Sequence, residues 1–183
     1  SGRTPDAYPG CPRQETAPMA CRIPYILRLL PIILWAAAPA AAEPIAVEAR
    51  PIAIDASAEG EQRVGSLVYR GGLELTSAYR HFGGLSALAV TPDGRRLTTL
   101  SDRGHRFVLA LRYDDRGRLI GVDDADGERL RGLDGKPLRG KKNSDAESLA
   151  RAGPDATIVA FEQRHRLWRY PSDGGAPTAL PLP

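Results

Sequence analysis

LTTLSDRGHRF, residues 97–107, and IVAFEQRHRLW, residues 158–168, follow one plan: an apolar, β-prone run ends in a knot of charge. At a constant offset of 61 residues and without gaps, Leu88 and Ala89 fall on Leu149 and Ala150, and Leu97 falls on Ile158. The same offset carries Leu100 onto Phe161, Arg103 onto Arg164 and Phe107 onto Trp168. Similarity at a fixed period means that one structural unit is written twice. Two hairpin units of a sandwich that agree by chance are the competing explanation.

The surrounding pattern is that of strands. No long window after Glu43 keeps apolar residues at helical spacing, and glycine or proline breaks the chain about every ten residues. GSLVYRGGLELTS (65–77) gives two short runs around Gly71 and Gly72. LSALAV-TPDG-RRLTTL gives strand, turn and strand, and FVLALRYDDRGRLIGV (107–122) repeats this around residues 114–117. The expected fold is therefore all-β, a partial β-propeller of short antiparallel strands. A 61-residue interval exceeds a blade of about 40 to 50 residues. The excess is assigned to DADGERLRGLDGKPLRGKKNS, 123–144, which reads as a polar, strand-poor insertion. Two recognisable units are fewer than the four that close a ring, so the sequence reads as truncated, with a further strand expected after the turn at 172–175.

Upstream of this domain the composition changes. Met19 is the only methionine, and behind it stand Arg22, Arg28, the run LLPIILWAAAP and Ala40, Ala41 and Ala42. A basic start, a short apolar centre and an A-x-A ending are the parts of a secretory signal peptide, expected as a helix over 19–42 and cleaved after Ala42. The apolar run is shorter than the roughly 20 residues that span a bilayer, so no stable membrane anchor is expected after cleavage. Residues 1–18 precede the initiator and read as an extension outside the native protein. The domain is then 43–183, in the periplasm or secreted.

Removing 1–42 takes away Arg3, Arg13, Arg22 and Arg28 with Asp6 and Glu15, leaving 21 bases against 20 acids. So even a balance gives no electrostatic reason for a nucleic-acid partner. Both cysteines, Cys11 and Cys21, leave with the leader, which excludes disulfides and thiolate metal sites from the exported chain.

The charged strand ends are the candidate site. Strands of successive blades converge on a central channel, so Ser101, Asp102, Arg103 and His105 can meet Glu162, Gln163, Arg164, His165 and Arg166. Asp145 and Glu147 are two residues apart and share one side of a strand. Oxygen donors without cysteine or paired histidine favour a hard ion such as calcium. Ordinary salt-bridged turns remain the alternative. Trp168 and Tyr170 read as blade core, and His81 as a packed or surface histidine.

FGGLSALAVTPDGRRLTTLSDRG, DGKPLRGKKNSDAESLA and FEQRHRLWRYP together resemble the phytase-like family of exported bacterial proteins, often described as having esterase-like activity, over residues 67–171. The resemblance implies a β-propeller and, through calcium-dependent propeller phytases, hydrolysis of a small phosphorylated or ester substrate. On the family's motif positions it implies that Asp102, Asp145, Glu147 and Glu162 hold calcium and that Arg103 and Arg164 hold the substrate anion. The family commonly has glycine where this chain has Ala87 and Ser148. A non-catalytic, calcium-stabilised scaffold and an inactive gene fragment are alternatives. So is a serine esterase using Ser86 and His105, although no G-x-S-x-G elbow is present.

Overall fold

The computed structural model describes residues 42–55, 57 and 62–182. The extension at 1–18 and the leader up to Ala41 lie outside the described residues. Strands come first in short pieces: β1 (Glu43–Pro44), β2 (Glu48–Ile52), β3 (Arg63–Val64), β4 (Leu67–Val68) and β5 (Gly72–Thr76). Two meanders follow. The first comprises β6 (Leu85–Val90), β7 (Arg96–Ser101), β8 (His105–Tyr113) and β9 (Leu119–Arg129). After the single turn α1 (Lys141–Ser144) comes the second, β10 (Ala146–Arg151), β11 (Ala156–Phe161), β12 (Arg166–Pro171) and β13 (Thr178–Leu180).

Each meander is an antiparallel sheet in simple chain order, and β1 adds a fifth strand to the first by pairing with β9. β2 pairs with β5, and β3 with β4. The fold is all-β with no closed sheet among the described residues, a partial propeller-like arrangement of two blades. Turn chemistry explains the meander: Gly94 and Gly117 take positive φ and donate back to Thr91 O and Asp114 O. The Asp114 carboxylate also accepts the backbone N–H groups of Arg116 and Arg118, both at 2.9 Å.

The repeat is real at the level of hydrogen bonds. β10 begins 61 residues after β6, and β12 begins 61 after β8. The match extends to a defect. In the first sheet the register slips between Leu85 and Ala87, and in the second between Ala146 and Ser148, so each blade carries a β-bulge at the same place. The bulged residues are Ser86 and Glu147. Ala87 and Ser148, where the resemblance implies glycine, are the residues at which pairing resumes. A bulge re-aims one side chain out of the pleat, and here the second blade spends that device on a carboxylate.

Two apolar clusters hold the blades. Leu100, Leu130, Leu138, Ala146, Val159, Phe161 and Tyr170 pack between the meanders. Phe107, Leu109 and Ala125 form the other, against Ile45, Val47, Leu75, Tyr79 and Phe82 of the N-terminal strands and loops. Tyr170 is buried, in line with its reading as blade core, and Trp168 packs against the first cluster.

Segment 123–144 divides rather than forming one insertion. Its first seven residues complete β9, the longest strand. The inward positions of β9 are filled by Gly121, Ala125 and Gly127, so the alternation is carried by small residues that register poorly as apolar. Gly127 is small for a reason: a Cβ there would stand 3.1 Å from the Phe107 ring. The remainder, 130–144, is a turn closed by the Arg131–Pro137 bridge followed by α1. A further strand does follow the turn at 172–175, as β13.

Gly104 links the first blade to α1. It has φ +75°, and a Cβ there would lie 2.6 Å from Ser144 Cβ and 3.2 Å from Ser144 O. Alanine at this position meets both a left-handed backbone and a clash, and Gly104→Ala is expected to cost about 2 kcal/mol or more. Urea unfolding will show it as a lower midpoint at unchanged slope; an unchanged midpoint would mean that the two loops do not touch.

Candidate functional site

The polar cluster is built where strand ends of the second blade meet α1. Asp145 follows α1, Glu147 occupies the bulge of β10, and Glu162 follows β11. Glu162 N donates to Asp145 O at 2.8 Å, which fixes the two loops together. One oxygen from each of Asp145, Glu147 and Glu162 lies within 4.8 Å of the others. Ligands on opposite sides of a calcium ion, at 2.3–2.6 Å each, stand at most about 5 Å apart, so this spacing is one that a single cation can bridge. All three acids come from one blade, with Glu147 at its bulge.

Asp102, the fourth expected ligand, stands outside that group. Its Oδ2 accepts from Lys141 Nζ at 2.9 Å, and the same ammonium donates to Asp145 Oδ1. Lys141 therefore joins a carboxylate of the first blade to one of the second. Asp102 Oδ1 is buried and unpartnered among the described residues, and it lies over Gly84, where a Cβ would come within 2.3 Å of it. Gln163 donates to the other Asp145 oxygen at 2.7 Å. It takes φ +52°, the left-handed region that side chains disfavour, so the turn holds strain at the point where it reaches the cluster.

Charge is distributed unequally over the acids. Burial opposes ionisation of Asp145, whose side chain is 3% exposed, but the hydrogen bonds from Lys141 and Gln163 outweigh it and its pKa is lowered. Glu147 is raised, by burial first and then by the hydrogen bond with Asp145 and the charges of Asp145 and Glu162. Lys141, held by Asp145 and Asp102, is raised to about 12. The cluster keeps more negative charge than its own lysine neutralises.

The two arginines expected to bind substrate are differently placed. Arg164 Nη1 donates to Asn143 Oδ1 at 2.9 Å, beside α1. Arg103 is exposed, and its charge is felt at His81. Ser86 donates its hydroxyl to Ala146 O, tying the inner strands of the two blades, and it is not bonded to His105. The geometry thus lends no support to a Ser86–His105 pair.

His105 stacks on His81 at 4.3 Å between ring centres, with Tyr79 edge-on at 6.5 Å. His105 is 2% exposed, and its Nδ1 has no partner among the described residues. Burial, then the charges of His81 and Arg129, pull its pKa from 6.5 to about 4, against a backbone hydrogen bond at Arg103. Between these values the unfolded chain holds the extra proton, so stability falls as pH falls from about 6.5 toward 4. The loss approaches about 3 kcal/mol. Melting temperatures recorded from pH 7.5 downward are expected to fall less steeply in His105→Phe; parallel curves would assign the acid loss to other groups.

Lys141 is the member that strand-based reasoning passes over. Lys141 had a signal, because it stands four residues before Asp145 in a helical turn, the spacing of a lysine–aspartate pair. Gln163 stands in the charged strand end that the sequence marks, but its bond to Asp145 depends on an unusual backbone angle.

A family model described as "Phytase-like: Esterase-like activity of phytase" matches residues 80–183, which include both meanders and every residue of the cluster. No curated protein and no solved structure matches the chain.

Proposed function

The chain belongs to the phytase-like family, and on that premise we propose that it is a calcium-dependent hydrolase of small phosphate or carboxylate esters, acting at the Asp145–Glu147–Glu162 cluster. One observation carries this reading: three carboxylate oxygens within 4.8 Å, with more negative charge than Lys141 balances. Asp145, Glu147 and Glu162 would hold the ion. A bound calcium would supply a Lewis acid toward the ester oxygen and lower the pKa of a coordinated water.

The protein's own groups do the rest. Gln163 and Lys141 fix both oxygens of Asp145, so that the carboxylate points without freedom to rotate. Arg164, oriented by Asn143, presents donors to an anion beside the cluster; a guanidinium can grip two anion oxygens at once. Lys141 adds a second cation on the side of the first blade. Asp102 serves in this scheme as the partner of Lys141. Arg103, whose charge is felt at His81, is given no role in this scheme. The sequence-read leader adds export to this proposal, placing the domain where calcium is plentiful.

Hydrolysis of 4-nitrophenyl phosphate and 4-nitrophenyl acetate tests it. Turnover is expected to vanish in chelator and return with calcium, and Arg164→Ala is expected to lower kcat/KM for the phosphate tenfold or more at unchanged melting temperature, a loss of about 1.4 kcal/mol. Turnover that survives chelation unchanged would end the proposal. The tie that Lys141 makes between blades favours a second reading, a calcium-stabilised scaffold. Under it, chelation lowers the melting temperature and no ester is cleaved at any calcium concentration.

A further inference from the structure

Beside the carboxylate cluster lies a groove of about 410 Å³, lined by residues 134, 136–139, 143, 164, 166 and 168. Its charge is one-sided: Lys136, Arg139, Arg164 and Arg166 face it, against Asp134 alone. Among the described residues none of these four cations is paired with a carboxylate. The Asp134 carboxylate is occupied locally, accepting the backbone N–H of Lys136 at 3.0 Å.

The floor of the groove is prearranged. Arg166 lies over the Phe161 ring at 3.8 Å and over the Trp168 ring at 4.5 Å. Its guanidinium donates to Arg164 O at 2.8 Å and to Asn143 O, so it braces the walls instead of offering free donors. Lys136, Arg139 and Arg164 are the exposed donors, and the half-buried indole of Trp168, with Pro137, supplies an apolar surface. Cations around an aromatic floor suit a ligand with an anionic end and a flat apolar body, where stacking and ion pairing act together.

We propose that this groove binds aryl phosphate monoesters, the phosphate meeting Lys136, Arg139 and Arg164 and the ring lying on Trp168. As the groove that selects the hydrolase's substrate, it rests on the reading above. As an anion site it needs no metal, so its test is run in chelator. Segments 141–145 and 162–166 wall both places, which puts a bound ester next to the carboxylates.

The test titrates 2-naphthyl phosphate into the full chain in chelator, by calorimetry. Saturable binding at one site per chain is expected, with inorganic phosphate and 2-naphthol each at least tenfold weaker. Lys136→Gln with Arg139→Gln is expected to weaken the aryl phosphate at least tenfold at unchanged melting temperature. Trp168→Leu is expected to abolish the advantage of 2-naphthyl phosphate over inorganic phosphate. Absence of saturable binding, equal affinity for inorganic phosphate, or an unaltered constant in the double variant would each overturn the proposal. Binding that behaves as expected in a chain with no calcium-dependent turnover would retain the groove and discard the hydrolase.

Discussion

Calcium at about a hundred times its dissociation constant is expected to raise the melting temperature of the wild-type chain by about 8 °C over chelator, since such binding would contribute about 2.7 kcal/mol of stability. In a chain carrying Asp145→Asn and Glu147→Gln the rise disappears. Two opposed effects set the result. In chelator the crowding of Glu147 with Asp145 and Glu162 works against the fold, as the raised pKa of Glu147 records, and the amide at 147 removes that repulsion. Asp145→Asn works the other way, because the amide gives up the ion pair with Lys141, so the variant is expected to start from a lower metal-free melting temperature and to show no rise with calcium. An undiminished calcium shift in the variant would place the ion elsewhere, and the three acids would then be a solvated strand end.

Truncation of Phe107 is expected to have the largest effect on the fold itself. The side chain is fully buried, sits on Gly127 of β9, and meets Phe82 edge-on at 5.1 Å and Tyr79 at 6.2 Å. It joins the first blade to the N-terminal strands and loops. Phe107→Ala should cost about 3–5 kcal/mol, a large part of the total stability of a domain this size. Denaturant titration measures it directly. A cost below about 1 kcal/mol would show that β8 is not the centre of its cluster.

Much of this architecture was legible because strands announce themselves through turns and alternation. The Pro92-Asp93-Gly94 and Asp114–Gly117 turns mark β6, β7, β8 and the start of β9, and the 61-residue echo carries the pattern to β10, β11 and β12. β9 was only half visible, since Gly121, Ala125 and Gly127 bury as effectively as larger residues when a phenylalanine fills the space above them. The acids at 145, 147 and 162 could be named from their position at strand ends. The nearness of Asp145 and Glu147 was also legible from their spacing; that Glu162 completes the group without Asp102 was not, because it depends on how β10 and β11 pair around a bulge that leaves no mark in the composition.

Lys141 teaches the complementary lesson. Its bond to Asp145 is local in sequence, whereas its bond to Asp102 spans 39 residues and exists only once the two meanders lie against each other. A residue of that kind is found through the acids it neutralises, after the fold has brought them together. The groove beside it follows the same logic: Lys136 and Arg139 belong to the 130–144 segment and Arg164 to the turn between β11 and β12, and only packing of that segment against β12 gives them one face.

The proposed hydrolase depends most on one ion being shared by Asp145, Glu147 and Glu162. Crystals of the chain grown with calcium and measured for anomalous scattering test this most directly. The prediction is a single peak with oxygens of all three acids about 2.3–2.6 Å away. Crystals that diffract well in saturating calcium and show no peak there, or a peak held by other residues, would contradict it.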